Sequence, residues 1–399
     1  MVETSHARPV HVFIFEPRVE GHHLGFLKVI AEELAGAGYR LTLAIDTAAG
    51  PYARIRAAMP EVLQHASILS ATDGGKRGAT VGHVAALFKQ SQADLAFLPN
   101  LDEIGSAMLR RAAFGLMPPA LLRGRLGGIY HRPRFLGALG VSPNQHLKAA
   151  GFARLLRSGY FSHLLLLDPY LQRGLKSRKP DAPAFFLSDF FPTDFAVDRA
   201  AARRQLSLPE NRRIFLFYGA GYRRKGLALA VQAMLAMPDE LPAFLLCAGK
   251  QPADSEIARG LETLVARGRA RVVNRYITDD EEKEYFAASD IVLLPYLRHF
   301  GISGVLMRAI GAGLPVIVSE DGLIGRLARE RNLGIPFRSG DASALGRAIE
   351  RAARASPEEM ARWQASVRAD APNWTRAAFR DAMLGSFDTA VMQLNAQTL

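Results

Sequence analysis

DIVLLPYLRHFGISGVLMRAIGAGLPVIVSEDGLIGRLARERNLG, residues 290–334, reads as strand, loop, helix, strand, glycine-rich turn and helix. Ile291 to Tyr296 and Pro315 to Ser319 are short apolar runs of the kind that parallel sheets bury on both faces. Between them, Ser303-Gly304 opens a helix that Gly311 and Gly313 close. A loop that ends at a helix start presents unpaired backbone N–H groups and partial positive charge, which suits a phosphate. This segment is therefore the first candidate for holding a phosphorylated ligand.

The same alternation extends in both directions. Upstream, strand Ile214 to Tyr218, helix Leu227 to Met237, strand Ala243 to Ala248, a helix over 254–267, strand Arg271 to Asn274 and helix Asp280 to Ser289 lead into it. The first half begins with strand Val10 to Phe15, a loop through Glu20-Gly21-His22-His23, a helix from about Leu24 to Ala37, and strand Arg40 to Ile45. Its first loop lies at the carboxyl end of strand one, where open α/β sheets bind ligands. Further strands are expected at Leu95 to Pro99, Leu126 to Tyr130 and His163 to Leu167. Lys176 to Glu210, rich in proline and charge, reads as an inter-domain linker. The expectation is α/β architecture with two Rossmann-like halves in tandem, and no repeat at the 20–50-residue scale.

Composition supports this. A chain of 399 residues is too long for one ordinary core, and its hydrophobic fraction of 49% can fill two sheets. No apolar run approaches the roughly eighteen residues of a membrane span. The start, MVETSHARPVHVFIF, lacks the basic region, apolar stretch and cleavage site of a secretory signal. A single cysteine, Cys247, lies in an apolar strand and reads as a small buried hydrophobe, so a reducing cytoplasm fits. The net charge of +12 is uneven: residues 104–167 contain no Asp or Glu but carry Arg110, Arg111, Arg123, Arg125, Arg132, Arg134, Lys148, Arg154 and Arg157. Apolar residues interleave them, as in Phe114-Gly115-Leu116-Met117-Pro118-Pro119. This window suits an anionic membrane surface from the cytoplasmic side or a merely solvated basic face. Nucleic acid is not expected, because no recognised binding motif accompanies the charge.

Three loops of the second half should meet at the carboxyl edge of its sheet. Gly219-Ala220-Gly221-Tyr222-Arg223-Arg224-Lys225-Gly226 joins glycines that admit close backbone approach to three cations suited to a diphosphate. The order GxxxxGK[ST] is absent, so it is not a P-loop. Tyr276-Ile277-Thr278 follows a strand and could hold a planar base through backbone groups, and His299 to Gly304 forms the third loop. In the first half, His131 ends a strand among basic residues, where an imidazole could orient a hydroxyl, shuttle a proton, or simply bond a neighbouring carbonyl. His22 and His23 lack metal-ligand spacing.

These residues resemble a known family. Gly219…Lys225-Gly226, Ala287-Ala288-Ser289-Asp290-Ile291-Val292-Leu293-Leu294-Pro295, Ser303-Gly304-Val305-Leu306 and Ala312-Gly313-Leu314-Pro315-Val316-Ile317 are similar to the donor domain of GT-B glycosyltransferases, above all the retaining family 4 of nucleotide-sugar enzymes. Asn373-Trp374-Thr375 resembles the turn before the final helix that crosses back to the first domain. The resemblance spans about residues 210 to 390 and is looser in the first half. It implies two Rossmann-like domains facing each other across a cleft. Residues 1–195 with a crossover helix 376–399 would form the acceptor domain, and 196–375 the nucleotide-sugar domain. It further implies that Lys225 and the backbone at Ser303, Gly304 and Val305 contact the donor diphosphate. His131 would face the donor sugar, and Gly21 would lie near donor and acceptor.

Two positions depart from the family. Its paired glutamates, eight residues apart, are replaced by Phe300 and Arg308, and the usual arginine of the Lys loop is Ala220. Arg308 could reach phosphate or stand exposed on its helix, and Arg223 or Arg224 could replace the missing arginine. Glu20 sits in the right loop to act on an acceptor, though neither it nor Glu16 is assignable as a base from sequence. The expected function is transfer of a sugar from a nucleotide diphosphate sugar to a glycan or lipid-linked acceptor, in polysaccharide or envelope glycan biosynthesis, without metal or other cofactor. A nucleotide-sugar epimerase and a non-catalytic nucleotide-sugar-binding protein are the competing readings. A two-lobed periplasmic binding protein is disfavoured by the absent export signal.

Overall fold

A computed structural model describes residues 9–20, 22–72, 80–137, 142–191, 194–251 and 255–396. The chain divides into two compact units, Met1–Leu187 with Arg380–Leu399, and Ser188–Phe379.

The first unit is built on seven parallel strands: β1 His11–Glu16, β2 Arg40–Ile45, β3 Ser67–Ser70, β4 Leu95–Leu98, β5 Leu126–Tyr130, β6 Phe161–Leu166 and β7 Ala184–Phe186. Their order is β3-β2-β1-β4-β5-β6-β7. Every residue of β1, β4, β5 and β6 is buried, so these strands read as largely apolar runs rather than as alternation. Helix Asp102–Ala113 packs on helix Pro143–Arg157 at very short range; a Cβ at Gly151 would stand 1.8 Å from the carbonyl oxygen of Leu109. Only glycine fits there. The chain's final helix, Arg376–Ala396, places Phe387 against Phe97 and Tyr39, with ring centroids 5.0 and 5.7 Å apart.

The second unit carries β8 Arg213–Tyr218, β9 Ala243–Ala248, β10 Ala270–Val273, β11 Ile291–Leu294, β12 Val316–Ser319 and β13 Gly334–Phe337. Their order, β10-β9-β8-β11-β12-β13, all parallel, is the doubly wound arrangement in which strand order reverses between the first and fourth strands. The carboxyl ends of β8 and β11 therefore flank the switch point, where such sheets hold ligands. Cys247 is fully buried in β9, and burial pushes its thiol up to about 12, far from a reactive thiolate. The stretch expected to be a linker is more structured than its composition suggests. It contains the end of helix Pro169–Arg178, strand β7 and helix Arg199–Gln205, with the unit boundary just after β7. Pro180 and Pro183 precede a strand of three residues, too short to give a hydrophobic pattern.

Among the described residues no helix is long and apolar enough to cross a membrane, and no group of three or more His, Cys, Asp or Glu is arranged to hold a metal ion.

Candidate functional site

In the second unit, β8 ends at Tyr218 and the chain turns through Gly219 into a 3-10 turn, Arg223–Lys225. Gly226 then enters helix Leu227–Leu235 at φ 74°, and a Cβ there would lie 1.8 Å from the Pro295 carbonyl oxygen. The glycine lets the loop after β8 press against the end of β11. That contact brings Lys225 to the centre of the edge: its ammonium lies 2.9 Å from where a Gly219 Cβ would stand and 5.6 Å from the Tyr296 ring centroid.

No hydrogen-bond or ion-pair partner holds the Lys225 ammonium among the described residues. Burial, with Arg224 and Arg308 nearby, lowers its pKa to about 8. A half-buried cation beside two further cations is costly unless an anion joins it. Arg224 donates to Nδ1 of His299 at 2.8 Å, and the other ring nitrogen lies 3.1 Å from the Ile302 carbonyl. That carbonyl fixes the proton on Nε2 and leaves Nδ1 to accept. Arg223 is exposed on the same turn.

Ser303 caps helix Gly304–Gly311; its hydroxyl accepts from Leu306 N at 3.4 Å and donates to the Tyr296 hydroxyl at 3.2 Å. Gly304 and Val305 begin the helix, so their N–H groups have no intrahelical acceptor. Gly304 is exposed and Val305 buried. The edge thus combines one unpartnered ammonium, two guanidinium groups and the positive end of a helix, a combination suited to a diphosphate. The loop after β10 contributes an exposed Tyr276 and a buried Ile277, followed by Thr278, which makes a capping box with Glu281 on helix Asp279–Ala288.

Arg308 is held by its neighbours. Its Nε donates to Glu282 at 2.6 Å and one Nη to the Gly304 carbonyl at 3.1 Å. Glu282 is 2% exposed and also accepts from the Tyr218 hydroxyl at 2.7 Å. A carboxylate from the neighbouring helix therefore stands beside the position where the family's glutamate is missing. Sequence reasoning passed over Glu282 because Asp279-Asp280-Glu281-Glu282 reads as a solvated helix start. Its place one turn before Phe286 was the available signal, since both face inward. Phe300, at the other vacant glutamate position, is half-exposed.

The first unit gathers titratable groups at the carboxyl edge of β1, β4 and β5. His131 follows β5; its backbone N donates to Asp102 at 2.7 Å and its ring Nε2 lies 2.8 Å from the Pro99 carbonyl. Glu20 is exposed, and its carbonyl accepts from His23 N at 3.3 Å. Gly21 lies outside the described residues. The buried carboxylate of this edge is Glu16, 1% exposed, which receives Arg18 N at 3.1 Å and lies 3.1 Å from His23 Nδ1. Arg18 reaches on to Glu103 at 2.8 Å. In sequence His23 lacks metal-ligand spacing, and its pairing with Glu16, seven residues away across a loop, leaves no periodic trace.

The histidines here are driven apart. The Glu16 hydrogen bond raises the pKa of His23 against the opposing effect of burial, while burial lowers His131 to about 4. Burial also takes His163, packed between Phe97 and Phe387, down to about 3. Below the ordinary value of 6.5, His131 and His163 bind protons more readily in the unfolded chain. Stability should therefore fall as pH drops from 6.5 toward 4, by up to about 1.4 kcal/mol per pH unit for each group. His23 has the opposite sign: its contribution is full below 6.5 and fades as pH rises through its raised folded value. Urea midpoints across pH should show a flatter acid limb in His163→Gln. His23→Gln should lose more stability at acid than at alkaline pH, and slopes identical to wild type would refute both assignments.

Residues 198–370 match the family described as glycosyl transferases group 1. The chain is similar to the D-inositol 3-phosphate glycosyltransferase of Streptomyces scabiei, 28% identical over 217 residues, which is 49% of this chain and 48% of that protein. The chain thus spans about half the length of the curated relatives it matches. Sucrose-phosphate synthase from Thermosynechococcus elongatus superposes with a TM-score of 0.68 at 18% identity, covering 96% of this chain and 99% of that one. Anabaena HepE, solved in complex with UDP, gives 0.65 at 14%, covering 95% and 100%. The fold is GT-B.

Proposed function

We propose, from the premise that residues 198–370 form a glycosyl transferases group 1 domain on a GT-B fold, that this protein transfers a sugar from a nucleotide diphosphate sugar to an acceptor hydroxyl. The single observation that carries the reading is Lys225, an ammonium with no partner among the described residues, beside Gly219 and the Tyr296 ring. The donor diphosphate would take its charge from Lys225, Arg223 and Arg224, and its backbone contacts from Gly219, Ser303, Gly304 and Val305. Tyr276 and Ile277 would border the base. Arg308, tied to Glu282, would act by its field at Lys225 rather than by direct contact.

These cations would stabilise the departing diphosphate, so that positioning and electrostatics supply most of the rate. No metal or other cofactor is assigned to the reaction. On the first unit we assign His131 to the reacting sugar, and Glu20, with Gly21, to the loop nearest the acceptor. The acceptor class is a glycan or lipid-linked sugar of polysaccharide or envelope biosynthesis, met at an anionic membrane surface by residues 104–167 on the cytoplasmic side. The UDP in HepE supports a nucleoside diphosphate as the ligand class. Thermal shifts with UDP, GDP and ADP should select one nucleotide, and radiolabel from the matching nucleotide sugar should then appear in an added acceptor. Because Phe300 and Arg308 stand where the family has glutamates, binding without transfer is the competing result. Stabilisation by a nucleotide sugar with no label transferred to any acceptor would establish that reading instead, and donor turnover without acceptor would indicate an epimerase.

A further inference from the structure

The first unit displays an apolar tip within a ring of arginines. Phe114, Leu116, Met117 and Leu121 are 74%, 53%, 37% and 42% exposed, four of the nine large hydrophobics found exposed among the described residues. All lie within eight residues, between helix Asp102–Ala113 and the start of β5. The turn that carries them is held in shape by hydrogen bonds. Leu116 N donates to the Arg111 carbonyl at 3.1 Å, Leu122 N to Pro119 at 3.2 Å, and the buried Tyr160 hydroxyl to Pro119 at 3.1 Å. The side chains are therefore presented outward by an ordered scaffold.

Arginines from three elements accompany them. Arg110 and Arg111 end helix Asp102–Ala113, and Arg123 follows the 3-10 turn Ala120–Leu122. Arg154 and Arg157 end the packed helix Pro143–Arg157, with Arg154 Nη1 2.9 Å from where a Gly115 Cβ would stand. All five are exposed, and none forms an ion pair among the described residues. Elsewhere in the first unit Arg18 is paired with a carboxylate, yet here residues 104–167 offer none.

We infer that this tip docks the protein on an anionic lipid bilayer, with Phe114, Leu116, Met117 and Leu121 entering the interfacial zone and the five arginines meeting phosphate headgroups. Uniform positive charge around an apolar centre matches that boundary, which is negative at the surface and apolar beneath. Single-stranded nucleic acid fits less well, because it stacks on aromatic faces and the tip offers only Phe114. The inference gives the proposed transferase its acceptor's location, but its observations lie wholly in the first unit and do not depend on the donor site.

Vesicle co-sedimentation of the full chain tests it. Wild type should pellet with vesicles holding roughly one-third phosphatidylglycerol and remain in solution with phosphatidylcholine alone. Arg110→Gln with Arg111→Gln should weaken partitioning by about 25-fold, at about five-fold per arginine. Phe114→Ser with Leu116→Ser should weaken it by at least about ten-fold while leaving the nucleotide thermal shift unchanged, which shows the second unit intact. Equal pelleting with both vesicle types, or none, would overturn the inference. So would full binding by the Phe114→Ser, Leu116→Ser variant, which would reduce the contact to charge alone. Dimers that dissociate on the same substitutions would also overturn it, by making the tip an interface between copies.

Discussion

Lys225→Ala should lower sugar transfer by about 10²–10³-fold and remove most nucleotide-induced stabilisation, while leaving the protein folded. The fold should survive because the side chain contributes little to it. Its ammonium is unpartnered among the described residues and its burial is unfavourable, as the depressed value of about 8 records. Alanine there relieves a cost in the unliganded protein, so its thermal midpoint should be equal or slightly higher. The loss appears only when a diphosphate is present. Lys225→Arg tests the point further: a guanidinium keeps the charge but cannot fold into the space beside Gly219. It should recover binding only in part.

The pH dependence has a definite sign. A diphosphate stabilises the ammonium, so the pKa of Lys225 must rise on binding. Affinity should be nearly flat below about 8, fall above it, and be accompanied by proton uptake. Calorimetry in buffers of different ionisation enthalpy reads that proton directly. The same flat profile in wild type and Lys225→Ala would remove Lys225 from the site.

How far these groups could be read from sequence depends on what fixes each one. The buried strands β8, β9, β11 and β12 are continuous apolar runs, and the loops after them announce themselves by glycine and positive charge. The positions of Lys225, Ser303 and Gly304 were legible because they follow from local backbone shape: a tight turn after a strand and a helix start. Strands β3, β7 and β13 lie at or near sheet edges, are three or four residues long, and include SILS, AFF and GIPF. Such short segments carry too little pattern, and Pro336 within β13 argues against a strand except at an edge. Asn373-Trp374-Thr375 does end a 3-10 turn before the last helix, with the Trp374 indole donating to Asp370 at 2.7 Å.

The buried carboxylates were not legible. Glu16 and Glu282 are the acids that organise the two edges, yet from sequence Glu16 stands beside Glu20 with nothing to choose between them, and Glu282 does not stand out within DDEE. Which acid of DDEE turns inward depends on the packing of helix Asp279–Ala288 against β8, a tertiary fact. Glu16 ends β1 and reaches His23 only because the intervening loop folds back. In both cases the motif points to the neighbourhood, and packing decides which acid is buried there.

Asp290 carries the second large expectation: Asp290→Ala should destabilise the second unit by about 3–5 kcal/mol. The residue is 5% exposed at the start of β11 and serves two functions at once. One oxygen accepts from Ile214 N at 2.7 Å, tying β11 to β8, and also from Arg203 at 2.7 Å. The other accepts from Arg199, with Arg213 3.8 Å away. Burial and the neighbouring Arg203 and Arg213 already oppose the charge on Arg199, and Asp290 is what offsets them. Removal therefore leaves three guanidinium groups facing one another around an empty centre, together with an unpaired backbone N–H. Asp290→Asn separates the two costs, since an amide oxygen can still accept from Ile214 while the charge is gone. If repulsion dominates, Asp290→Asn should remain well below wild type, and adding Arg203→Gln should return part of the loss. The double variant should also be less sensitive to added salt than Asp290→Asn alone. Urea denaturation followed on the second unit's transition reads all three. A double variant weaker than Asp290→Asn by the full cost of Arg203→Gln alone would show that the lost hydrogen bonds, not the exposed charges, set the penalty.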